Sequence, residues 1–424
     1  MVRTEDRRSH ASIPWTDAST RRAIRRLALT LTFAGLGLAS ANLGSANWPS
    51  ALSAGNIAHS PTYSVAISSL LAIGLFASTF GISRAELKRN ARTVVAAITL
   101  GVVVKAGLTG VVMLLVYSNP AYLILGVAVA QIDPLSVASM LKYRAMSERA
   151  KAILSAWASF DDPITVLLVL YLAPFALPAA RAHTGSGSAF AGQGSLPAYL
   201  MHLGLNLVLI AVAAAIWLCL REIRRRWPGK VSLVHGLACA FLVLMLIAAI
   251  KFGLLLGFTV CGLFFRPPVA RVMSWIVPMA FYSATFLLGI FLVGGANVLA
   301  GILLGATAFG VQILAGRVIG RRLSRQDQMH IALGQQNGIT AIVLALALDP
   351  YFPQAVGIIA VAVLVVNVVN VVANGIWDRL TAVKAACRPR ASRDQTDTPA
   401  PVANPGLSVI GGRVGDRGTG SRTD

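Results

Sequence analysis

Residues 153–172 read "ILSAWASFDDPITVLLVLYL". About twenty mostly apolar residues is the length of a helix that crosses a bilayer. This stretch nevertheless carries Asp161, Asp162 and Pro163 at its middle. A charged group at mid-membrane costs about 3 kcal/mol on insertion scales, so such groups face a partner or a cavity and do work there. The question is whether the rest of the chain is built around that expense.

The composition says that it is. Of 424 residues, 56% are hydrophobic and 12% are charged, about half the charged fraction usual in soluble domains. Apolar runs recur at about 27–47, 62–83, 93–117, 120–142, 149–173 and 197–220, then at 231–249, 252–265, 270–294, 297–320, 329–348 and 354–377. Only helices and closed barrels satisfy their backbones in lipid, and these runs are too long and too evenly apolar for barrel strands. The expectation is an all-α polytopic membrane protein of about twelve transmembrane helices.

The net charge of +21 resembles a nucleic-acid binder's, but its placement excludes that reading. Lys and Arg cluster in the N-terminal segment and in every second connection: Arg84, Lys88, Arg89 and Arg92; Lys142 and Arg144; Arg221, Arg224, Arg225 and Arg226; Arg266 and Arg271; Arg321, Arg322 and Arg325. The connections between carry almost none. That alternation is the positive-inside pattern, and it puts both termini in the cytoplasm. The expected organisation is a basic N-tail (1–26), a membrane domain (27–380) and a disordered cytoplasmic C-tail (381–424), with a Gly/Ser-rich external loop at 174–196. Cys219, Cys239, Cys261 and Cys387 show no metal or disulfide spacing.

Of sixteen acidic residues, only Asp133, Asp161 and Asp162 lie deep in expected spans, all in the fourth and fifth. Adjacent helical residues point about 100° apart, so Asp161 and Asp162 cannot face one site equally. Pro163 has no N–H, which leaves the Ser159 carbonyl without its helical partner. Carboxylates crowded into a poorly solvated place resist ionising together, so they exchange protons as a cluster. A group that holds either a proton or a small hard cation is the minimum device for trading one for the other.

Span four contains "QIDPLSV" (131–137) and span eleven "GQQNGITAIVLAL" (334–346). Asp133-Pro134 and Asn337-Gly338 each interrupt helical geometry, and the two stretches align locally. Spans four and eleven are an odd number apart and so run in opposite directions. Units of about 93–173 and 297–377 would then form inverted repeats, with discontinuous helices 4 and 11 meeting at a midplane site.

These motifs, with "FDDPI" in span five, resemble the monovalent cation:proton antiporters, the bacterial sodium/proton exchanger group, over residues 27–380. The resemblance implies secondary antiport of protons against Na⁺, K⁺ or Li⁺ in the cell membrane, not enzymatic catalysis. It implies Asp162 as the main ion and proton carrier, Asp161 as the first acid of the pair, and Asp133 as the aspartate of the broken fourth helix. Asp162 and Asp133 would contact the transported cation, with Ser136, Asn337 and Thr340 in support. A homodimer is implied in the same way. The partners expected are lipid, monovalent cations and protons, with no cofactor and no nucleic acid. Relatives often carry a Lys or Arg in span ten facing the acids; here Gln312 stands near that place and Arg317 nearer the cytoplasmic end. Lys105, mid-span in "GVVVKAGLTG" (101–110), is the candidate replacement, with Asp161 as its partner.

Two competing functions are a sodium-coupled organic-anion symporter and an intramembrane aspartyl protease; the protease's Gly-x-Gly-Asp sequence is missing. Asn367, Asn370 and Asn374 share one face of span twelve and are read as interhelical hydrogen-bonding groups. His202, His235 and His330 lie near span ends.

Overall fold

The computed structural model describes residues 18–47, 60–80, 97–133, 146–177, 196–227, 231–334 and 339–386, with isolated positions between. Thirteen α-helices carry the described residues. They are α1 (Ala18–Asn47), α2 (Pro61–Phe80), a π-helical stretch Ala97–Val104 leading into α3 (Lys105–Tyr117), α4 (Pro120–Val129), α5 (Glu148–Ala176) and α6 (Leu196–Arg226). The chain continues with α7 (Val231–Phe252), α8 (Leu255–Phe264), α9 (Ala270–Phe291), α10 (Val298–Ile319), α11 (Arg325–Ala332), α12 (Ile339–Leu348) and α13 (Ala355–Ala386). Residues Met1–Trp377 form one compact unit, and the helix packing belongs to it.

Helix starts follow their capping chemistry. Asn119 accepts the Ala121 N–H ahead of Pro120 to open α4, and Ser147 accepts the Ala150 N–H to open α5. Asn297 and Ser324 do the same for α10 and α11. Helix α1 begins at Ala18, inside the basic segment, and α13 runs to Ala386. Residues 1–17, 387–424 and the Gly/Ser-rich connection 178–195 lie outside the described residues.

Among the described residues, seven helices are long and apolar enough to cross a membrane, and four shorter apolar helices accompany them. Their outer faces carry large unpartnered side chains: Leu207, Val208 and Leu218 on α6, and Leu233, Val243 and Leu244 on α7 are more than half exposed. Such a surface fits lipid and not water.

Helix α4 packs on both α3 and α5, the π-helical stretch packs on α5, and α10 and α11 pack together with α10 also against α3 and α4. Helix α2 stands where this group meets the others, touching α5 and α12 on one side and α7, α8 and α9 on the other. The α3–α4 hairpin is a close joint. A Cβ on Gly126 would lie 2.5 Å from the Gly110 Cα, and one on Gly110 would lie 2.8 Å from the Leu123 carbonyl oxygen. The two backbones touch, as small residues allow in membrane helices. This hairpin carries Lys105 at one end and Ile132 and Asp133 just beyond the other.

An apolar layer of Val102, Ile132, Ile153, Leu154, Trp157 and Ile331 fills the space between α5 and its neighbours. At the end of that layer, Asp327 ties α11 to α5 by accepting the Ser147 N–H at 3.1 Å. Burial pushes the Asp327 carboxyl up, but hydrogen bonds from Ser147 and Ser324 and the nearby His330 outweigh it and hold it below the usual carboxylate range.

Asp349, in the connection between α12 and α13, has the opposite balance. Burial raises its carboxyl to about 7, against which the Val356 N–H contributes a smaller lowering. Between its ordinary 3.8 and about 7 the folded protein keeps a proton that the unfolded chain has lost, so stability falls as pH rises through that window. Asp349→Asn keeps an oxygen for Val356 and removes the charge. The variant should melt at a higher temperature than the parent at pH 8 and at the same temperature near pH 4. An equal difference at both pH values would refute this assignment.

Candidate functional site

Helix α5 runs without interruption through Pro163 and presents its two aspartates to different neighbours. Asp161 is 0% exposed and Asp162 2%. Asp161 turns toward α3 and the end of α4. Lys105, 1% exposed, places Nζ 2.6 Å from Asp161 Oδ2. The Ile132 N–H donates to the same oxygen at 2.7 Å. Lys105 Nζ also lies 5.3 Å from the Trp157 ring centroid, a face that suits a desolvated ammonium.

Local structure supplies both donors. Helix α4 stops at Val129, and Gln131 bonds back to the Ala128 carbonyl through its amide at 2.6 Å. The Ile132 N–H, released from helical pairing, is thereby available to a carboxylate. On the other side, the π-helical stretch Ala97–Val104 ends where Lys105 begins α3. An i→i+5 stretch shifts the register of the helix after it and is often found at functional positions.

Among the described residues, no cation stands against Asp162 in this way. Its Oδ2 accepts from the Thr340 hydroxyl at 3.1 Å and the Ser78 hydroxyl at 3.3 Å. Among the described residues, its Oδ1 is buried without a hydrogen bond. Asp133, 2% exposed, stands near enough that the two carboxylates repel.

The chain therefore brings Asp161, Asp162, Asp133, Lys105 and Thr340 together. Gln312 is buried but gives its amide to the Ile331 carbonyl at 3.5 Å, at the end of α11 and not at the acids. Ser136 and Asn337 lie outside the described residues. Asn370 and Asn374 both donate to the Leu333 carbonyl, at 3.0 and 3.3 Å. That carbonyl is one that the end of α11 leaves without a helical partner. Ser78 is the residue that sequence reading passed over. A lone serine in an apolar helix usually bonds its own backbone, and nothing in "FASTF" (76–80) separates it from that case.

With two carboxylates of unequal engagement inside a helical membrane bundle, comparison with known proteins is decisive. A model of the transmembrane sodium/hydrogen exchangers matches residues 26–379. The chain belongs to the sodium/hydrogen exchanger family. Two solved structures of the sodium proton antiporter MjNhaP1 from Methanocaldococcus jannaschii share its fold. One, determined at pH 8, has a TM-score of 0.52 and 16% identity, covering 87% of this chain and all of that one. The other, an electron-microscopy map, has a TM-score of 0.52 and 17% identity, covering 87% and 99%. A search of curated proteins finds no match.

Within this exchanger, removing one partner of a fully buried ion pair costs more than removing both, since the remaining charge is left uncompensated. Lys105→Met should lose about 3–5 kcal/mol of stability on that account. The double variant Lys105→Met/Asp161→Leu should recover most of it. Thermal unfolding in detergent measures both, and a double variant no more stable than the single would show that the pair is not coupled. A transport-versus-pH profile unchanged in folded Lys105→Met would remove any role for the lysine in exchange.

Proposed function

We propose that the chain exchanges protons for Na⁺, or for K⁺ or Li⁺, across the cell membrane, with Asp162 as the group that both species occupy. One observation carries this reading: two adjacent buried aspartates, of which one is held by a lysine and a backbone N–H, and the other, among the described residues, by two hydroxyls. Hydroxyls rotate, and each can donate to a carboxylate or turn a lone pair toward a cation. The bare Asp162 Oδ1 is the atom on which a proton or a cation would settle. Asp133 adds negative charge that favours a cation there. Proton and cation cannot share Asp162, so loading one releases the other, and coupling arises from competition.

Membership in the exchanger family supports the reading, as does the likeness to a sodium proton antiporter, whose activity is consistent with such a site. Alternating exposure would come from movement of the α3–α5 and α10–α13 units against the other helices. The ends of α4 and α12 near the acids support a pair of interrupted helices in opposed orientation. Twelve crossings, cytoplasmic termini and a homodimer complete the proposal. The Arg-rich C-terminal turn of α6 (Arg224, Arg225 and Arg226) supports a cytoplasmic end there.

Reconstituted vesicles test it. An imposed Na⁺ gradient should drive proton movement in the parent protein, and Asp162→Asn should reduce it to the level of vesicles without protein. Sodium-driven proton movement that survives in Asp162→Asn would sink the assignment of the carrier.

A further inference from the structure

The Ser78 hydroxyl has two acceptors within reach. The Gly74 carbonyl, one turn back on α2, is 3.1 Å away, and Asp162 Oδ2 is 3.3 Å away. A hydroxyl has one hydrogen and two lone pairs, so it cannot serve both acceptors fully. Neither distance is short for such a bond, and the two are close to each other, so the hydrogen has two comparable positions. The Thr340 hydroxyl donates to the same Asp162 oxygen, at 3.1 Å.

The two positions of that hydrogen have different consequences. Pointing at Asp162, Ser78 steadies the empty carboxylate anion. Pointing at Gly74, it leaves its lone pairs facing the carboxylate, where they can coordinate a cation. A cation on Asp162 repels the hydrogen and attracts the lone pairs, so arrival of the ion itself drives the turn. The hydrogen is not stranded, because the Gly74 carbonyl is already in place to take it. Hard monovalent ions such as Na⁺ and Li⁺ take oxygen ligands by the same logic as other hard cations.

We propose that Ser78 is a ligand of the transported cation, supplied from α2, whose hydrogen moves from Asp162 to the Gly74 carbonyl when the cation binds. The inference rests on Asp162 as the carrier and adds a ligand from a helix outside the α3–α5 unit. Ion occupancy then changes a contact between α2 and α5, the two elements that must shift if the site is to open alternately to either side.

The test uses the full-length protein in vesicles, with Na⁺ and Li⁺ varied at fixed pH and the amount of inserted protein measured. Loss of an oxygen that contacts a charge corresponds to about tenfold or more in affinity. Ser78→Ala and Ser78→Cys should therefore raise the half-saturating Na⁺ concentration about tenfold, with the maximal rate within about twofold of the parent. Ser78→Thr, which retains the hydroxyl and the option of bonding back to its own helix, should restore it. Half-saturation unchanged in Ser78→Ala overturns the proposal. So does a fall in maximal rate alone, shared by Ser78→Thr, which would mark a packing role in α2. Absence of sodium-driven proton movement in the parent would instead defeat the antiport reading itself.

Discussion

The structure turns on one oxygen, Asp161 Oδ2. Burying a carboxylate and an ammonium costs several kcal/mol for each ion, and only close geometry with further hydrogen bonds offsets it. Here the geometry is a 2.6 Å contact from Lys105 and a second donor at 2.7 Å from Ile132. The second donor exists only because α4 stops at Val129 and leaves the Ile132 N–H without a helical partner. The first is delivered where a π-helical stretch gives way to α3. The hairpin bringing both to α5 closes only because Gly110 and Gly126 let two backbones touch. A break, a register shift and a glycine contact, unrelated in sequence, serve the same ion pair.

That pair separates the roles of two chemically identical neighbours. Successive helical positions differ by about 100°, so once Asp161 faces α3 and α4, Asp162 must face α2 and α12. There it meets hydroxyls instead of a lysine. The difference comes from which neighbours the helix rotation selects, and it needs no difference in the residues themselves.

Much of this was legible in the sequence, for a physical reason. Acids in the middle of apolar spans are costly and therefore few, so Asp133, Asp161 and Asp162 stand out, and a mid-span lysine such as Lys105 demands a carboxylate. Thr340 was found through a local alignment of two interrupted stretches. What escaped was cheap chemistry. Ser78 costs nothing in a helix that can satisfy it internally, so its sequence carries no trace of the second acceptor across the interface. Gln312 was placed near the acids by position along span ten, yet a side chain's direction depends on helix rotation, and its amide goes to Ile331. Asn370 and Asn374 could be read as hydrogen-bonding groups on one face, but their common target, the Leu333 carbonyl, becomes visible only once α11 is seen to end at Ala332.

The placement of the positive charge also constrains how such a site can work. Lys105, Ile132 and Asp161 all belong to one group of three helices, α3 to α5, together with the connection after α4. A motion that carries this group as a body leaves the ion pair intact and never has to rehydrate it. The pair is neutral as a whole, yet Asp161 as well as Asp133 still repels the Asp162 carboxylate. The contact to Asp162 that leaves the α3–α5 group toward α2 is a hydroxyl bond, far weaker than a buried ion pair. The strong electrostatics thus lie inside the unit and the weak, reversible contact lies at its border, which is the distribution that alternating exposure requires.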